Sequence, residues 1–167
     1  SLLKIASKYP IIHCEGPYIY MNRNELIKKA RQVHDSLLMI DSDMVFKPDD
    51  LYKMAELVEG LPAITGIAVN TLPPHSPMIF KRIEGDYTLM DLPNELSTIG
   101  ACGGAFLALS KDLIQKLPYE CCNNIKEGEL EHGEDISLCH RINLLGEKIW
   151  CEPKIRLGQV RTTIIYE

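Results

Sequence analysis

The sequence predicts an α/β fold with a mixed, mainly parallel sheet flanked by helices. Apolar runs of strand length alternate with amphipathic helical patterns in the first half of the chain, which is typical of strands joined by helices. The second half is richer in hairpin signals, so some antiparallel pairing is expected there. The length of 167 residues suits a single domain, residues 1–167, with a core of its own.

Three elements of the first half follow from local signals. Residues 25–33 carry apolar side chains near helical spacing and are predicted to form a helix. Residues 37–40 are a short apolar run that ends in acids, which indicates a buried strand of a parallel sheet. Residues 47–58 are predicted to form a second helix, because Pro48 suits its first position and the two following aspartates complement the helix dipole.

The remaining elements also follow from turn and periodicity signals. A strand at 63–69 leads through a proline-rich loop to strands at 78–83 and 87–90, which are predicted to pair as a hairpin. Ser110 is expected to cap the helix that follows it. The other predicted elements are a strand at 105–109, helices at 111–117 and 134–145, a mobile polar loop at 120–131, and strands at 148–151, 155–160 and 161–166.

Composition narrows the class of protein. The formal net charge is −5, so bulk electrostatics does not favour binding to nucleic acid. No apolar run reaches membrane-spanning length, and residues 1–8 lack the features of a signal peptide. These observations predict a cytoplasmic protein with no membrane span. The six cysteines form no C-x-x-C pair and are expected to be buried, unpaired thiols.

The segment Asp41-Ser42-Asp43 is the strongest chemical signal in the sequence. Residues two apart on a strand point to the same side, so both carboxylates face one place at the carboxyl end of the predicted strand. Ligand sites of open α/β sheets lie at such ends, and two oxygen ligands suit Mg²⁺ or Mn²⁺. The alternative is a turn whose acids cap the next helix.

Two further segments carry weaker signals. Glu134 and Asp135 begin a predicted helix, where acids either complement the helix dipole or allow an aspartate to accept a proton from a hydroxyl. The glycines at positions 100, 103 and 104 precede a predicted strand. They either let a substrate approach the backbone closely or form a tight turn.

Taken in their order along the chain, the acidic strand end, the glycine segment and the acidic helix start resemble the A-type glycosyltransferase fold of the nucleotide-diphospho-sugar transferase superfamily. The resemblance is greatest to the family-two-like group. The resemblance covers nearly the whole chain. The matching segments are residues 23–24, 38–51, 103–106, 133–141, 146–150 and 156–158.

The resemblance implies transfer of a sugar from a nucleotide diphosphate donor, with Mn²⁺ or Mg²⁺ as cofactor. It implies a donor half at about residues 1–70, in which Asp43 binds the metal and Asp41 contacts the metal or the ribose of the donor. Arg23 and Asn24 are then expected near the nucleotide. The acceptor is a carbohydrate, a lipid or a protein, which the sequence does not distinguish.

The acceptor half, at about residues 71–167, is implied to contain Asp135 as the catalytic base of an inverting enzyme. Glu134 then supports the acceptor site, and Gly103 and Gly104 belong to the substrate-binding segment. Many relatives have a histidine as third metal ligand where this chain has Gln159, whose amide is a weaker ligand for these ions.

Several features of the sequence differ from the family pattern or leave other functions open. His132 is a minor candidate for the missing histidine ligand. The chain begins at what resembles the helix after the family's first strand, so we expect that strand to be missing and self-association through the open sheet edge. A nucleotidyltransferase is an alternative, although no glycine- and lysine-rich phosphate loop is visible. A non-catalytic relative that binds sugars or partners is another, favoured somewhat by Gln159.

Overall fold

The computed structural model describes residues 8–69, 75–127 and 130–160. The helices are α1 (Ile19–Val33), α2 (Pro48–Leu57), α3 (Lys111–Lys116) and α4 (Glu134–Leu144). The strands are β1 (Leu37–Ile40), β2 (Met44–Val45), β3 (Ala63–Ile67), β4 (Ile79–Ile83), β5 (Asp86–Leu89), β6 (Ser97–Ile99), β7 (Ala101–Cys102), β8 (Phe106–Leu109), β9 (Ile125–Glu127), β10 (Leu130–His132), β11 (Ile149–Arg156) and β12 (Gly158–Gln159).

The α/β class and the mixed sheet flanked by helices are as predicted, but the expectation of a mainly parallel sheet was wrong. The central sheet has five strands in the order β1–β8–β3–β11–β6. Within it only β3 and β11 run parallel, while the other three neighbouring pairs are antiparallel. The reason is that β8 returns between β1 and β3 in the opposite direction. The composition of a short apolar run does not encode the direction of its partner.

Strand β1 differs from its prediction in the same way. Its span is the predicted one, but it pairs antiparallel with β8 and stands at the edge of the described sheet. Only Met39 is fully buried, and Ile40 is exposed. The strand therefore has one unpaired edge within the described sheet, and Met39 and Ile40 help to line the cleft described below.

Several predicted elements are confirmed together with the local interactions that stabilise them. In α2, Pro48 occupies the first position, and the carboxylate of Asp50 accepts a hydrogen bond from the N–H of Lys47 at 3.0 Å. In α3, the hydroxyl of Ser110 accepts from the N–H of Leu113 at 3.2 Å. The predicted hairpin is β4–β5.

Three segments differ from their predictions. Helix α1 begins at Ile19 rather than at residue 25. The earlier start gave no apolar periodicity in the sequence, because the buried residue of the first turns is the charged Arg23, whereas Ile19 and Met21 are exposed. The predicted mobile loop at 120–131 contains the paired strands β9 and β10. Strand β11 is continuous through Pro153, with a register irregularity between Cys151 and Arg156, whereas two strands were predicted there. The strand predicted at 161–166 lies outside the described residues.

The core has two parts, one on each face of the central sheet. Helix α2 packs on one face, where Met54 joins Phe106 of β8. Helices α1, α3 and α4 pack on the other face around residues such as Leu107. Adjacent residues of β8 thus serve opposite layers, as strand geometry requires. Five of the six cysteines are buried in these layers or beside them, as predicted, and burial raises the pKa of Cys151 to about 12.

No helix in the described part of the chain is both long and apolar enough to cross a membrane.

Candidate functional site

The two predicted strand-end acids lie on a short turn that the sheet holds in place. The N–H of Asp41 donates to the carbonyl of Ala105 at 2.9 Å, which extends the pairing of β1 with β8 by one residue. The N–H of Met44 donates back to the carbonyl of Asp41 at 3.1 Å and closes the turn before β2. Asp41 and Asp43 therefore sit at a fixed place at the carboxyl end of β1.

Arg23 connects this strand end to the start of α4. Its Nη1 donates to Oε1 of Glu134 at 2.9 Å, and its Nη2 lies 3.3 Å from both carboxylate oxygens of Asp41. The arginine side chain is only 6% exposed, whereas those of Asp41 and Glu134 are 33% and 21% exposed. One buried guanidinium thus bridges two acids that were predicted to serve different halves of the site.

Glycine at position 104 is required by this arginine. A Cβ built on Gly104 would overlap the guanidinium of Arg23. The close approach predicted for this glycine is therefore made by a side chain of the protein itself. Gly103 is less crowded, and a Cβ there would lie 3.4 Å from Cβ of Met78 and 3.9 Å from Oδ2 of Asp135.

The acidic helix start lies beside the same two glycines. Glu134 and Asp135 form the first turn of α4 after Gly133. Oδ1 of Asp135 accepts a hydrogen bond from the N–H of Ile136 at 2.7 Å, and its Oδ2 is the atom on the Gly103 side. The structure therefore brings Asp41, Glu134 and Asp135 together around Arg23 and the two glycines, whereas Asp43 has a different partner.

Gln159 lies next to the second strand-end acid. Its side-chain amide donates a hydrogen bond to Oδ2 of Asp43, and the N–H of Val160 donates to the carbonyl of Asp43 at 2.8 Å. Strand β12 pairs with β2 and so carries Gln159 to this place. His132, in contrast, packs edge-on against the ring of Tyr87, with the ring centres 5.7 Å apart.

Asn24, which was expected near a nucleotide, contacts the segment that follows α3. Its side-chain NH₂ donates to Oδ1 of Asn123 at 2.8 Å, and its oxygen accepts from the N–H of Cys122 at 2.9 Å. Successive residues of a helix point about 100° apart, so Asn24 and Arg23 face different neighbours. Asn24 fastens α1 to the segment that follows α3, and it is not among the residues that line the cleft.

A cleft of about 580 Å³ opens beside the acids. One wall is formed by α1, including Arg23, and by the strand end from Met39 to Asp43. The other wall is the segment Ile12–Gly16, where Nε2 of His13 lies 2.8 Å from Oε1 of Glu15. The sequence did not predict this second wall, because an irregular segment with isolated polar residues carries no periodic signal.

The donor set fits a metal that is shared with a substrate better than a metal held by protein alone. In the described residues, no group of three or more His, Cys, Asp or Glu side chains is placed to hold a metal ion. Mg²⁺ is usually bound through one or two carboxylates together with substrate phosphates, and Asp41 and Asp43 supply two. The four acids and Arg23 also carry a formal charge of −3 between them, which favours a divalent cation nearby.

Comparison with known proteins shows the fold. No protein-family model matches the sequence, and no curated protein matches it. Among solved structures, the chain is similar to the crystal structure of A197 from STIV, with a TM-score of 0.63 at 14% sequence identity. The match covers 91% of this chain and 72% of A197. A likeness at this level of identity concerns the fold and carries no information about activity.

Proposed function

We propose that this chain is a metal-dependent glycosyltransferase, hexosyltransferase-like, that uses a nucleotide-diphosphate sugar as donor. The proposal rests on one observation above all. Arg23 joins the acid at the end of β1 to the acid at the start of α4, beside a cleft of about 580 Å³. Asp41, which is suited to a metal-bound diphosphate, is thus linked to the helix turn that carries Asp135, which is suited to proton transfer.

On the donor side, Asp43 and Asp41 would hold Mn²⁺ or Mg²⁺. When bound, such an ion neutralises the charge that develops on a departing diphosphate. The cleft, at about 580 Å³, falls within the range of about 300–1,000 Å³ that is typical of small-molecule sites. Both acids are partly exposed to it, so a ligand can reach them without unfolding of the strand end.

On the acceptor side, Asp135 would accept the proton of the acceptor hydroxyl. Its Oδ1 is held by the N–H of Ile136, which orients the carboxylate and leaves Oδ2 on the side of Gly103. Glu134 is bound to Arg23 and would therefore support the site rather than move a proton. These roles would place proton acceptance and diphosphate binding on two different elements.

A non-catalytic binding protein is the second candidate, and a specific observation favours it. Both strand-end acids already accept hydrogen bonds from protein donors, Asp41 from Arg23 and Asp43 from Gln159. Acids with such partners can be structural. A binding protein of this kind would still offer the cleft to a nucleotide or a sugar.

Two measurements, first of binding and then of turnover, distinguish the glycosyltransferase from the non-catalytic binding protein. Calorimetry with UDP and GDP, with and without Mn²⁺, measures binding, and a panel of nucleotide sugars measures hydrolysis and transfer. Metal-dependent binding with turnover supports the transferase. Binding without turnover for any donor supports the binding protein. The absence of any nucleotide or sugar binding contradicts both.

A further inference from the structure

We propose that Arg23 is an internal counter-ion that competes with the divalent metal for Asp41 and couples metal binding to Glu134. This inference rests on the proposed function, since it assigns a role to Arg23 in the same metal site. It makes Arg23 a positioning residue, which acts on the reaction through two acids and not by contact with the donor.

The two contacts of the Arg23 guanidinium differ in length, and the difference indicates which carboxylate can leave the arginine to bind a metal. The bond to Glu134 is 2.9 Å long, within the usual range for a charged pair, whereas both distances to Asp41 are 3.3 Å. Asp41 is also the more exposed of the two acids. Asp41 is therefore the partner that Arg23 can give up to a metal.

The burial of Arg23 explains why a second partner is needed. A buried charge without a partner is strongly unfavourable, and the side chain of Arg23 is 6% exposed. Gly104 packs directly against the guanidinium, so the group is held in place. With Glu134 still bound, Arg23 keeps a carboxylate partner when Asp41 turns towards a metal.

The exchange couples the two sides of the site. Arg23 released from Asp41 binds Glu134 alone, which steadies the first turn of α4 next to Asp135. Coupling between binding events is reciprocal. A change at Glu134 should therefore alter metal affinity, and it should do so only while Arg23 is present.

The experiment measures Mn²⁺ binding directly, from the electron paramagnetic resonance signal of free Mn²⁺, with UDP present and absent. The variants are Arg23→Gln, Glu134→Gln and the double variant. Arg31→Gln is the matched control on the same helix, because its guanidinium bonds only the carbonyls of Ile114 and Leu117 among the hydrogen bonds found for it. Thermal melting of every variant checks the fold.

Loss of the competing cation should tighten Mn²⁺ binding by about tenfold in Arg23→Gln, the factor expected for removal of a charge-assisted hydrogen bond. In Glu134→Gln, Arg23 pairs with Asp41 alone, and Mn²⁺ binding should weaken by about fivefold. In the double variant the effect of Glu134→Gln should disappear. Arg31→Gln should bind Mn²⁺ as the parent does.

Each other outcome has a definite meaning. If the parent binds Mn²⁺ and Arg23→Gln binds it no more tightly, the inference fails while the proposed function stands. An equal effect of Glu134→Gln in both backgrounds also overturns it, because Glu134 then acts only as a nearby charge. If only Arg23→Gln binds Mn²⁺, the inference is supported and the metal-dependent enzyme is contradicted. If neither binds, both fail.

A second substitution covers the case in which Arg23→Gln does not fold. Arg23→Lys keeps the positive charge but replaces the planar fork with a single ammonium group, which cannot hold both carboxylates in the same way. The effect of Glu134→Gln should then shrink to less than about half of its value in the parent. An effect of unchanged size overturns the inference.

Discussion

Asp41 and Asp43 are two residues apart, yet they belong to different surroundings. Asp41 is part of an inner cluster with Arg23 and Glu134, which is centred on a buried guanidinium. Asp43 is part of an outer pair with Gln159, whose hydrogen bond is exposed to solvent. Breaking a buried ion pair costs about 3–5 kcal/mol, whereas an exposed polar contact typically contributes less than about 1 kcal/mol.

The difference teaches which contacts belong to the fold and which can be replaced by a ligand. The inner cluster ties α1, the end of β1 and the start of α4 together. The outer pair joins only the short strands β2 and β12 near the surface. A ligand at Asp43 displaces a weak contact, whereas a ligand at Asp41 has to compete with Arg23.

The largest expected effect tests whether the inner side of the site performs chemistry. In Asp135→Asn, the amide has the same shape but cannot accept a proton as the carboxylate does. We expect sugar transfer to fall by about a hundredfold or more while nucleotide binding is retained. Steady-state rates and calorimetry on the same preparation measure both. Transfer at the parent rate would show that Asp135 only complements the helix dipole.

A smaller but clear effect is expected at the outer pair. Asp43→Ala removes the proposed metal ligand, and we expect Mn²⁺-dependent binding of UDP or GDP to weaken by about tenfold or more. Asp49→Ala is the matched control, because Asp49 is an exposed acid in the first turn of α2. Equal nucleotide binding by the parent and Asp43→Ala would contradict the proposed metal site.

The next effect concerns the stability of the inner cluster. Gly104→Ala places a methyl group against the guanidinium of Arg23, and we expect the free energy of unfolding to fall by about 1–3 kcal/mol. Gly60→Ala serves as the control, because a Cβ there meets nothing within 4 Å. Urea denaturation compares the two. A stable Gly104→Ala would mean that Arg23 moves aside at little cost.

The smallest effect is expected at Gln159. An imidazole is a better ligand for Mn²⁺ than an amide, and position 159 faces Asp43. Gln159→His should therefore lower the Mn²⁺ concentration needed for half-maximal nucleotide binding by about threefold. Its stability should remain within about 0.5 kcal/mol of the parent. Identical metal titrations would show that residue 159 does not reach the metal.

Local signals account for the parts of the fold that could be predicted. Pro48 and the acids after it define the start of α2, and Ser110 defines the start of α3. The sheet direction could not be predicted in this way, because β8 lies between β1 and β3 only in three dimensions. Strand β11 was divided in the prediction because Pro153 normally interrupts a strand, whereas here a local irregularity accommodates it.

The candidate site also has a part that could be predicted from local sequence signals and a part that could not. Asp41, Asp43, Glu134 and Asp135 could be found from short motifs in the sequence, and the structure brings Asp41 and Glu134 together through Arg23. The bridge by Arg23 could not, because its bond to Glu134 spans 111 positions of the chain. A glycine that makes room for that arginine looks in the sequence like any other turn glycine.

The strand order of the central sheet limits how segments of this protein can be exchanged with those of a related protein. Strands β1 and β3 come from residues 1–70, yet β8 from residues 71–167 separates them. A gene fragment for the first part alone would encode β1 and β3 without the strand that pairs with both of them. Each part of the chain therefore depends on the other to complete the central sheet, and an exchange of either part has to preserve the pairing of β8 with β1 and β3. Insertions at exposed turns, such as the one between β4 and β5, leave this pairing in place.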